Sequence, residues 1–364
     1  MTSQPTQGGV TEAAVLAALS QVQEPELHKD LVTLKMVRDL QISGGEVRFT
    51  IMLTTPACPL RGRIEQEARA AVAALPGVTK VTIDFAADVS RRFGSTGEPL
   101  IPGVRNVVAI ASGKGGVGKS TVAVNLAVAL AQAGARVGIL DADIHGPNVP
   151  LMLGATRQPI KGPNEKLLPP VRYGLRVMSI AFFMTPDTPA IWRGPMVHSA
   201  IQQFLRDVEW GELDYLVIDL PPGTGDAALT VAQLLPSARA VIVTTPQDVA
   251  LLDAGRALAM FRRLNVPVLG LIENMSYFHC PHCGQRTDIF GHGGGAAAAE
   301  AQGLKFLGAI ALDPAVRVGS DSGRPITIAD PESPTAASFR EVASQVAAAI
   351  SVANATEEAP VIIS

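Results

Sequence analysis

Gly113-Lys-Gly-Gly-Val-Gly-Lys-Ser-Thr121 is the stretch on which the fold turns. Gly113, Gly118, Lys119 and Ser120 satisfy the spacing G-x-x-x-x-G-K-[ST] of a phosphate-binding loop. Glycine frees the backbone to curl until its N–H groups point inward at phosphate oxygens. A lysine in the place of Lys119 reaches β- and γ-phosphates, and a hydroxyl in the place of Ser120 ligates Mg²⁺. Gly115, Gly116, Val117 and Thr121 complete the cradle. Lys114 is a second lysine inside the loop, close to phosphate, where a cation has no structural use.

The flanks agree with the loop. Val107, Val108, Ala109 and Ile110 form a short apolar run that reads as a buried strand. Residues 120–133, rich in Ala, Leu and Val, read as a helix whose N-terminal dipole faces the phosphates. Residues 137–140 read as the next strand, ending at Asp141 and Asp143. A glycine-rich turn that binds nothing is the competing reading, but it does not call for this order of strand, loop, helix and strand.

With 364 residues the chain is long enough for two domains. It is 47% hydrophobic but only 4% aromatic, so a sizeable core must be built from Ala, Val, Leu and Ile. A formal net charge of −3 argues against a strongly basic nucleic-acid binder. No apolar run approaches the ~18 residues of a membrane span. Residues 1–9 are polar and uncharged, unlike a signal peptide. Three cysteines, two of them in one C-x-x-C, are too few for a disulfide scaffold and suit a reducing compartment. The expected setting is the cytoplasm, with neither nucleic acid nor membrane as partner.

The chain divides near residue 100. Residues 1–90 read as a small α+β domain, with helical spacing over 11–21 and 60–75. Val47, Phe49 and Ile51, and later Val81, Ile83 and Phe85, alternate like half-buried strands. Residues 91–104 are a linker punctuated by Gly94, Ser95, Gly97, Pro99 and Pro102. Residues 105–353 alternate strands (107–110, 137–140, 215–218, 240–244, 268–272) with helices (120–133, 227–235, 249–264, 336–349). Such alternation implies an α/β fold: a P-loop NTPase with a mostly parallel sheet flanked by helices. Residues 354–364 read as a frayed tail. Ligands of such sheets collect at the carboxyl ends of strands, where the phosphate loop, Asp141 and Asp219 all fall.

Asp219 opens Asp-Leu-Pro-Pro-Gly-Thr-Gly-Asp226 directly after the apolar Leu216-Val-Ile218. An acid there can hold Mg²⁺ through water, and the Gly223 N–H can meet a γ-phosphate and so distinguish ATP from ADP. The bland alternative is a proline-rich turn with an exposed acid.

Together, the two-lysine loop, Asp141-Ala-Asp143 and Asp219-Leu-Pro-Pro-Gly223 resemble the deviant Walker A ATPases. That group includes the division-site and partition ATPases, nitrogenase iron protein and the Mrp-type (ApbC-like) iron–sulfur cluster carriers. The resemblance implies that Lys114 reaches across a homodimer to the partner's nucleotide and that Asp143 positions the attacking water. It further implies that Asp141 and Asp219 lie near Mg²⁺ with Ser120 and that Asn274 contacts the adenine base. Asn274-Met-Ser-Tyr-Phe-His-Cys280-Pro-His-Cys283-Gly is similar to the Mrp pattern in particular. So are Trp192-Arg-Gly-Pro195, Thr245-Pro-Gln247 and Phe290-Gly-His-Gly-Gly-Gly295.

Thiolates at Cys280 and Cys283 suit either an iron–sulfur cluster or zinc. A [4Fe–4S] cluster takes four cysteines, and residues 105–353 hold only these two, so an all-cysteine site needs two chains. A cluster bridged in this way is exposed and held by few bonds, which suits delivery. Structural zinc completed by His279, His282 or His292 is the rival. A thioredoxin-like pair fits less well, because this C-x-x-C opens no helix after a strand. The resemblance favours the cluster.

The amino-terminal part also has a relative. Glu24-Pro-Glu-Leu27 and Thr54-Thr-Pro-Ala-Cys58-Pro-Leu60 resemble the small domain that precedes many Mrp proteins, stand-alone versions of which act in iron–sulfur assembly. Cys58 reads equally as a reactive thiol or as a small buried residue. His198 and Arg91-Arg92 read as solvated surface, and residues 296–299 as helix packing. The expectation is therefore a homodimeric ATPase with Mg²⁺ that binds a cluster and passes it to apoproteins, working with assembly factors. A MinD- or ParA-like spatial organiser is the competing class. A membrane version would show a basic amphipathic C-terminal helix, for which residues 336–349 followed by Glu357-Glu358 are a poor candidate.

Overall fold

The computed structural model describes residues 10–25, 27, 29–53, 55, 58, 60–87, 100–162, 165–184, 194–223 and 225–357. Trp192, Arg193, Arg91, Arg92 and Glu358 lie outside these residues, as do Glu26, Thr54, Pro56, Ala57 and Pro59 of the amino-terminal motifs. The chain forms two compact units, one of residues 1–90 with 347–364 and one of residues 91–346.

The smaller unit is built from helix α1 (Glu12–Leu19), strands β1 (Val37–Ser43) and β2 (Glu46–Leu53), helix α2 (Arg61–Ala73) and strand β3 (Lys80–Ala87). β1 and β2 pair antiparallel around Gly44, whose φ of 60° suits a residue without Cβ, and β2 pairs parallel with β3. Val47, Phe49, Ile51 and Leu53 alternate inward along β2, and Ile64, Ala68 and Val72 repeat every fourth residue along α2. Together with Val15 and Leu19 these make a closed core, against which Cys58 packs half-buried. Sequence periodicity does not reveal β1. Its pairing is interrupted between Arg38 and Gln41, where Asp39 adopts φ 51°, and this breaks the two-residue alternation.

The larger unit continues with β4 (Val104–Ser112), α3 (Lys119–Gln132), β5 (Val137–Asp141), α4 (Val149–Leu153), β6 (Val171–Arg172) and β7 (Leu175–Ser179). Next come α5 (Gly194–Asp207), β8 (Leu213–Asp219), α6 (Asp226–Leu234), β9 (Arg239–Thr244), α7 (Asp248–Arg263) and β10 (Val268–Glu273). A short hairpin, β11 (Phe278–His279) with β12 (Arg286–Thr287), is followed by α8 (Gly294–Ala301), β13 (Phe306–Ala309), α9 (Pro314–Asp321) and α10 (Pro334–Glu357), whose residues from 347 onward fall with the smaller unit. The sheet runs β6-β7-β5-β8-β4-β9-β10-β13. Only the edge pair β6/β7 is antiparallel. β5, β8 and β9 are buried at every position, the expected signature of parallel strands covered on both faces. Each fully buried Val, Leu or Ile there contributes about 1.5–3 kcal/mol.

The α/β reading therefore holds. α10 runs further than expected, to Glu357, through four residues assigned from sequence to the tail. No glycine or proline interrupts it before Pro360, and Ala336, Phe339, Ala343, Val346, Ala347 and Ile350 lay a buried stripe at helical spacing. Among the described residues no helix is long and apolar enough to cross a membrane.

Candidate functional site

Register assembles the site. Asp141 at the end of β5 pairs with Ser179 of β7 on one side and with Asp219 of β8 on the other. Ser112 ends β4 beside Val243 of β9, and Thr244 pairs with Glu273 of β10. Six carboxyl ends, those of β7, β5, β8, β4, β9 and β10, thus line up where the phosphate loop leaves β4.

The loop needs its glycines. Gly116 and Gly118 adopt φ 81° and 79°. A Cβ on Gly113 would lie 2.1 Å from the Asp253 backbone of α7, and one on Gly118 would lie 2.2 Å from Asn274 Nδ2. Gly118 caps α3 without a side-chain acceptor, so the first N–H groups of the helix face the loop unpaired by a cap and suit an anion. Ser112 Oγ donates to the Lys114 carbonyl (2.9 Å) and steadies the turn.

A cavity of about 510 Å³ opens over this loop. Lys114, Gly115, Gly116, Gly118, Lys119, Ser120, Thr121, Asp143 and Asn274 all line it. Gly113 and Val117 do not line it, and the Val117 carbonyl accepts from Asn274 Nδ2 at 2.9 Å. Asp143 is half-buried and its carboxylate accepts from the Gly146 N–H (3.2 Å). Lys114 is half-buried and its ammonium makes no ion pair among the described residues.

Asp141 and Asp219 lie beneath the cavity, essentially without exposure. Lys119 Nζ stands 2.5 Å from Asp219 Oδ1 and 3.2 Å from Ser120 Oγ. Asp141 accepts from the Val149 N–H, the Ser179 hydroxyl and the Asp143 N–H. Burial, and then the neighbouring Asp219, push the Asp141 carboxyl up to about 8. Burial also raises Asp219, against the pull of Lys119. Two crowded acids beside a serine hydroxyl form an all-oxygen donor set, deficient in positive charge. That chemistry fits Mg²⁺, which prefers hard oxygen ligands and keeps several waters.

The structure differs from expectation at Gly223. Its N–H donates to the Ser112 carbonyl (2.9 Å) instead of standing free for phosphate, because a backbone donor here pairs with the nearest carbonyl. Sequence reading also missed Ser179 and the far wall of the cavity, which Leu151 and Met152 of α4 and Leu312, Val316 and Arg317 of the α9 region supply. No local pattern marks these residues. They arrive only through the sheet order.

Cys280 and Cys283 sit in the tight link of the β11/β12 hairpin. The Cys280 N–H donates to the Gln285 carbonyl (3.0 Å) and the Gly284 N–H returns to the Cys280 carbonyl (2.8 Å). Cys280 is half-buried and Cys283 exposed. The His282 N–H, then the N–H and thiol of Cys283, hold the Cys280 thiol below its ordinary value. His279 Nδ1 lies 3.3 Å from the Gly284 carbonyl, and His292 is engaged with Arg286 and Asp288. Among the described residues no three of His, Cys, Asp and Glu converge on a metal position.

Residues 103–347 match the profile of the ParA group described as NUBPL iron-transfer P-loop NTPase, and residues 12–84 match that of an iron–sulfur cluster assembly protein. An "iron–sulfur cluster carrier protein" of Synechocystis sp. is 51% identical over 349 residues, covering 94% of this chain and 99% of that one. An "iron–sulfur cluster transfer protein NUBPL" of Dictyostelium discoideum is 47% identical over 259 residues, covering 71% of this chain and 80% of that one. Among solved structures, a nucleotide-binding protein of Archaeoglobus fulgidus in complex with ADP aligns at TM-score 0.56 and 41% identity, covering 64% of this chain and 91% of that one. The cell division ATPase MinD of Pyrococcus furiosus, at TM-score 0.51 and 24% identity over 66% of this chain and 98% of that one, shares the fold. Phosphate loop, sheet order and cysteine hairpin lie within the span matched by the first profile, and the chain belongs to the NUBPL iron-transfer P-loop NTPase family.

Proposed function

We propose that this protein binds and hydrolyses ATP and carries an iron–sulfur cluster to apoproteins, acting as a homodimer in the cytoplasm with assembly factors as partners. One observation carries the reading: a phosphate cradle and a solvent-accessible cysteine pair occupy the same unit, and among the described residues no third protein ligand joins the pair. Two thiols on one chain fill half the coordination of a [4Fe–4S] cluster, so a second copy supplies the rest. The names and identities of the relatives support the same cargo.

Each cavity residue has a task in phosphoryl transfer. Backbone N–H groups of residues 113–121 bind the β- and γ-phosphates, and Lys119 leaves Asp219 to neutralise them. Lys114, which makes no ion pair among the described residues of its own chain, contributes from across the dimer. Asp143 orients the water that attacks the γ-phosphorus in line as the bond to the β-phosphate oxygen breaks. Ser120, with Asp141 and Asp219 through water, would hold Mg²⁺, which neutralises charge developing on the phosphate oxygens. Asn274, which lines the cavity, would contact the base.

The test is anaerobic reconstitution of Cys280→Ser and Cys283→Ser, followed by visible spectroscopy. Both variants should lose the iron–sulfur chromophore while binding nucleotide as the parent does. A parent that stays loaded with one zinc per chain and refuses iron would sink the carrier reading and leave the ATPase reading intact.

A further inference from the structure

Glu273 is a buried acid for which the hydrolytic chemistry has no use. It ends β10 with 1% exposure and lies outside the cavity wall. Its two carboxylate oxygens grip two different places. Oε1 accepts from the Ser276 hydroxyl (2.5 Å), and Oε2 accepts from the Gly295 N–H in the first turn of α8 (2.5 Å). Gly295 has no room for a side chain there: a Cβ would lie 2.7 Å from Oε2. Ser276 and Gly295 bracket the segment that contains the hairpin, Cys280 and Cys283. One side chain therefore fastens both ends of the cysteine-bearing excursion.

The same residue is bonded directly to the nucleotide site. Asn274 follows it in sequence, lines the cavity, and donates from Nδ2 to the phosphate-loop carbonyl of Val117 (2.9 Å). The backbone around the carboxylate is fixed on both sides. The Asn274 N–H donates to Thr244 of β9, and the Ile310 N–H donates to the Glu273 carbonyl. Beyond it, the Ser276 N–H meets the Ile310 carbonyl and the Leu312 N–H meets that of Tyr277. Tyr277 in turn lies under the Arg286 guanidinium (4.3 Å) and against His279, both in the hairpin. A continuous set of contacts thus runs from the phosphate loop through Asn274 and Glu273 to the hairpin that carries the cysteines.

We propose that Glu273 is the positioning residue that couples nucleotide occupancy to the posture of the cysteine hairpin. Ligand contacts that shift Asn274 also shift the Glu273 main chain, and the carboxylate transmits that displacement to Ser276 and Gly295 together. The proposal rests on the cysteine pair being the cargo site, but its test uses metal-free protein and does not depend on which cargo is loaded.

The measurement is the alkylation rate of Cys280 and Cys283 in the reduced full-length protein, resolved by peptide mass spectrometry. It is made with and without saturating MgADP, with nucleotide binding verified separately and Cys58 as internal reference. The parent should show a nucleotide-dependent rate change on the order of fivefold or more at the pair, the lower end of ordinary site-to-site coupling. In Glu273→Gln, the amide nitrogen either faces the Gly295 N–H or reverses the Ser276 bond so that the hydroxyl accepts, and in both cases a charge-assisted grip is lost. The rate change should fall below about twofold while nucleotide affinity holds. A merely structural role would lower thermal stability and leave the ratio of rates untouched. Ser276→Ala, which removes one grip without touching the carboxylate, should reduce the ratio in the same direction and carries the test if Glu273→Gln does not fold. A parent ratio near one at verified saturation overturns the proposal, as does a parent-like ratio in the folded variants. Either result leaves the cluster-loading experiment free to succeed.

Discussion

At the scale of single residues, Lys119 is a buried cation paired with Asp219. Under the proposed function it exchanges that partner for phosphate. Lys119→Ala should therefore remove ATP binding by at least about tenfold, the effect of losing one charge-assisted contact of roughly 1.5–3 kcal/mol, as measured with a fluorescent nucleotide. Unchanged affinity and turnover would refute the cradle. Lys114 stands apart, because among the described residues its side chain has no ionic partner. Lys114→Ala should depress hydrolysis more than binding. Mixing Lys114→Ala chains with Asp143→Ala chains should restore some turnover, since one mixed site would then hold both defects and the other neither. Failure to recover under demonstrated subunit exchange would show that the lysine acts within its own chain.

At the scale of elements, the starts of the central strands are tied as firmly as their ends. Asp214 at the head of β8 accepts from the Arg136 backbone N–H (2.9 Å) and from its guanidinium (2.9 and 3.2 Å) where β5 begins. Burial alone would raise this carboxyl, but the Arg136 bonds, with Arg105 nearby, outweigh it and hold the group below its ordinary 3.8. A depressed acid contributes stability that is complete above its unfolded value and lost as pH falls through the folded one. Asp214→Asn should thus cost about 1–3 kcal/mol at pH 7, and the gap to the parent should close below about pH 4 in thermal melts. A gap independent of pH would remove the ion pair from the account. How much of this was legible follows from the same elements. β5, β8 and β9 announce themselves as apolar runs, and the phosphate loop as a fixed spacing. β1 hides behind the irregularity at Asp39, and β7, which brings Ser179 to Asp141, has its apolar run broken by Arg176. The Asp141–Asp219 adjacency is legible only as two strand ends, since register, not sequence distance, places them side by side. The Glu273 grips were invisible, because a carboxylate before an asparagine says nothing of a serine and a glycine packed upon it.

At the scale of the whole molecule, the proposed sharing of one cluster between two chains sets a stoichiometry. Reconstituted protein should hold about four iron and four sulfide per dimer and run as a dimer in anaerobic gel filtration. Cys58→Ser should leave that content unchanged, since this cysteine packs against a different core. Four iron per monomer would overturn the shared site.

The exposure of the hairpin carries a cost that concerns neither ATP nor iron. A thiol held toward its thiolate is the form that peroxide attacks, and a sulfenic acid at Cys280 would find Cys283 close by in the same turn to condense with. Oxidative stress would then disarm this chain at its cargo end first. Residues 113–121 contain neither cysteine nor methionine, and would go on taking nucleotide. The damaged protein would be an idling engine, competent to spend fuel and with nothing aboard to deliver, until a reductant reopened the pair.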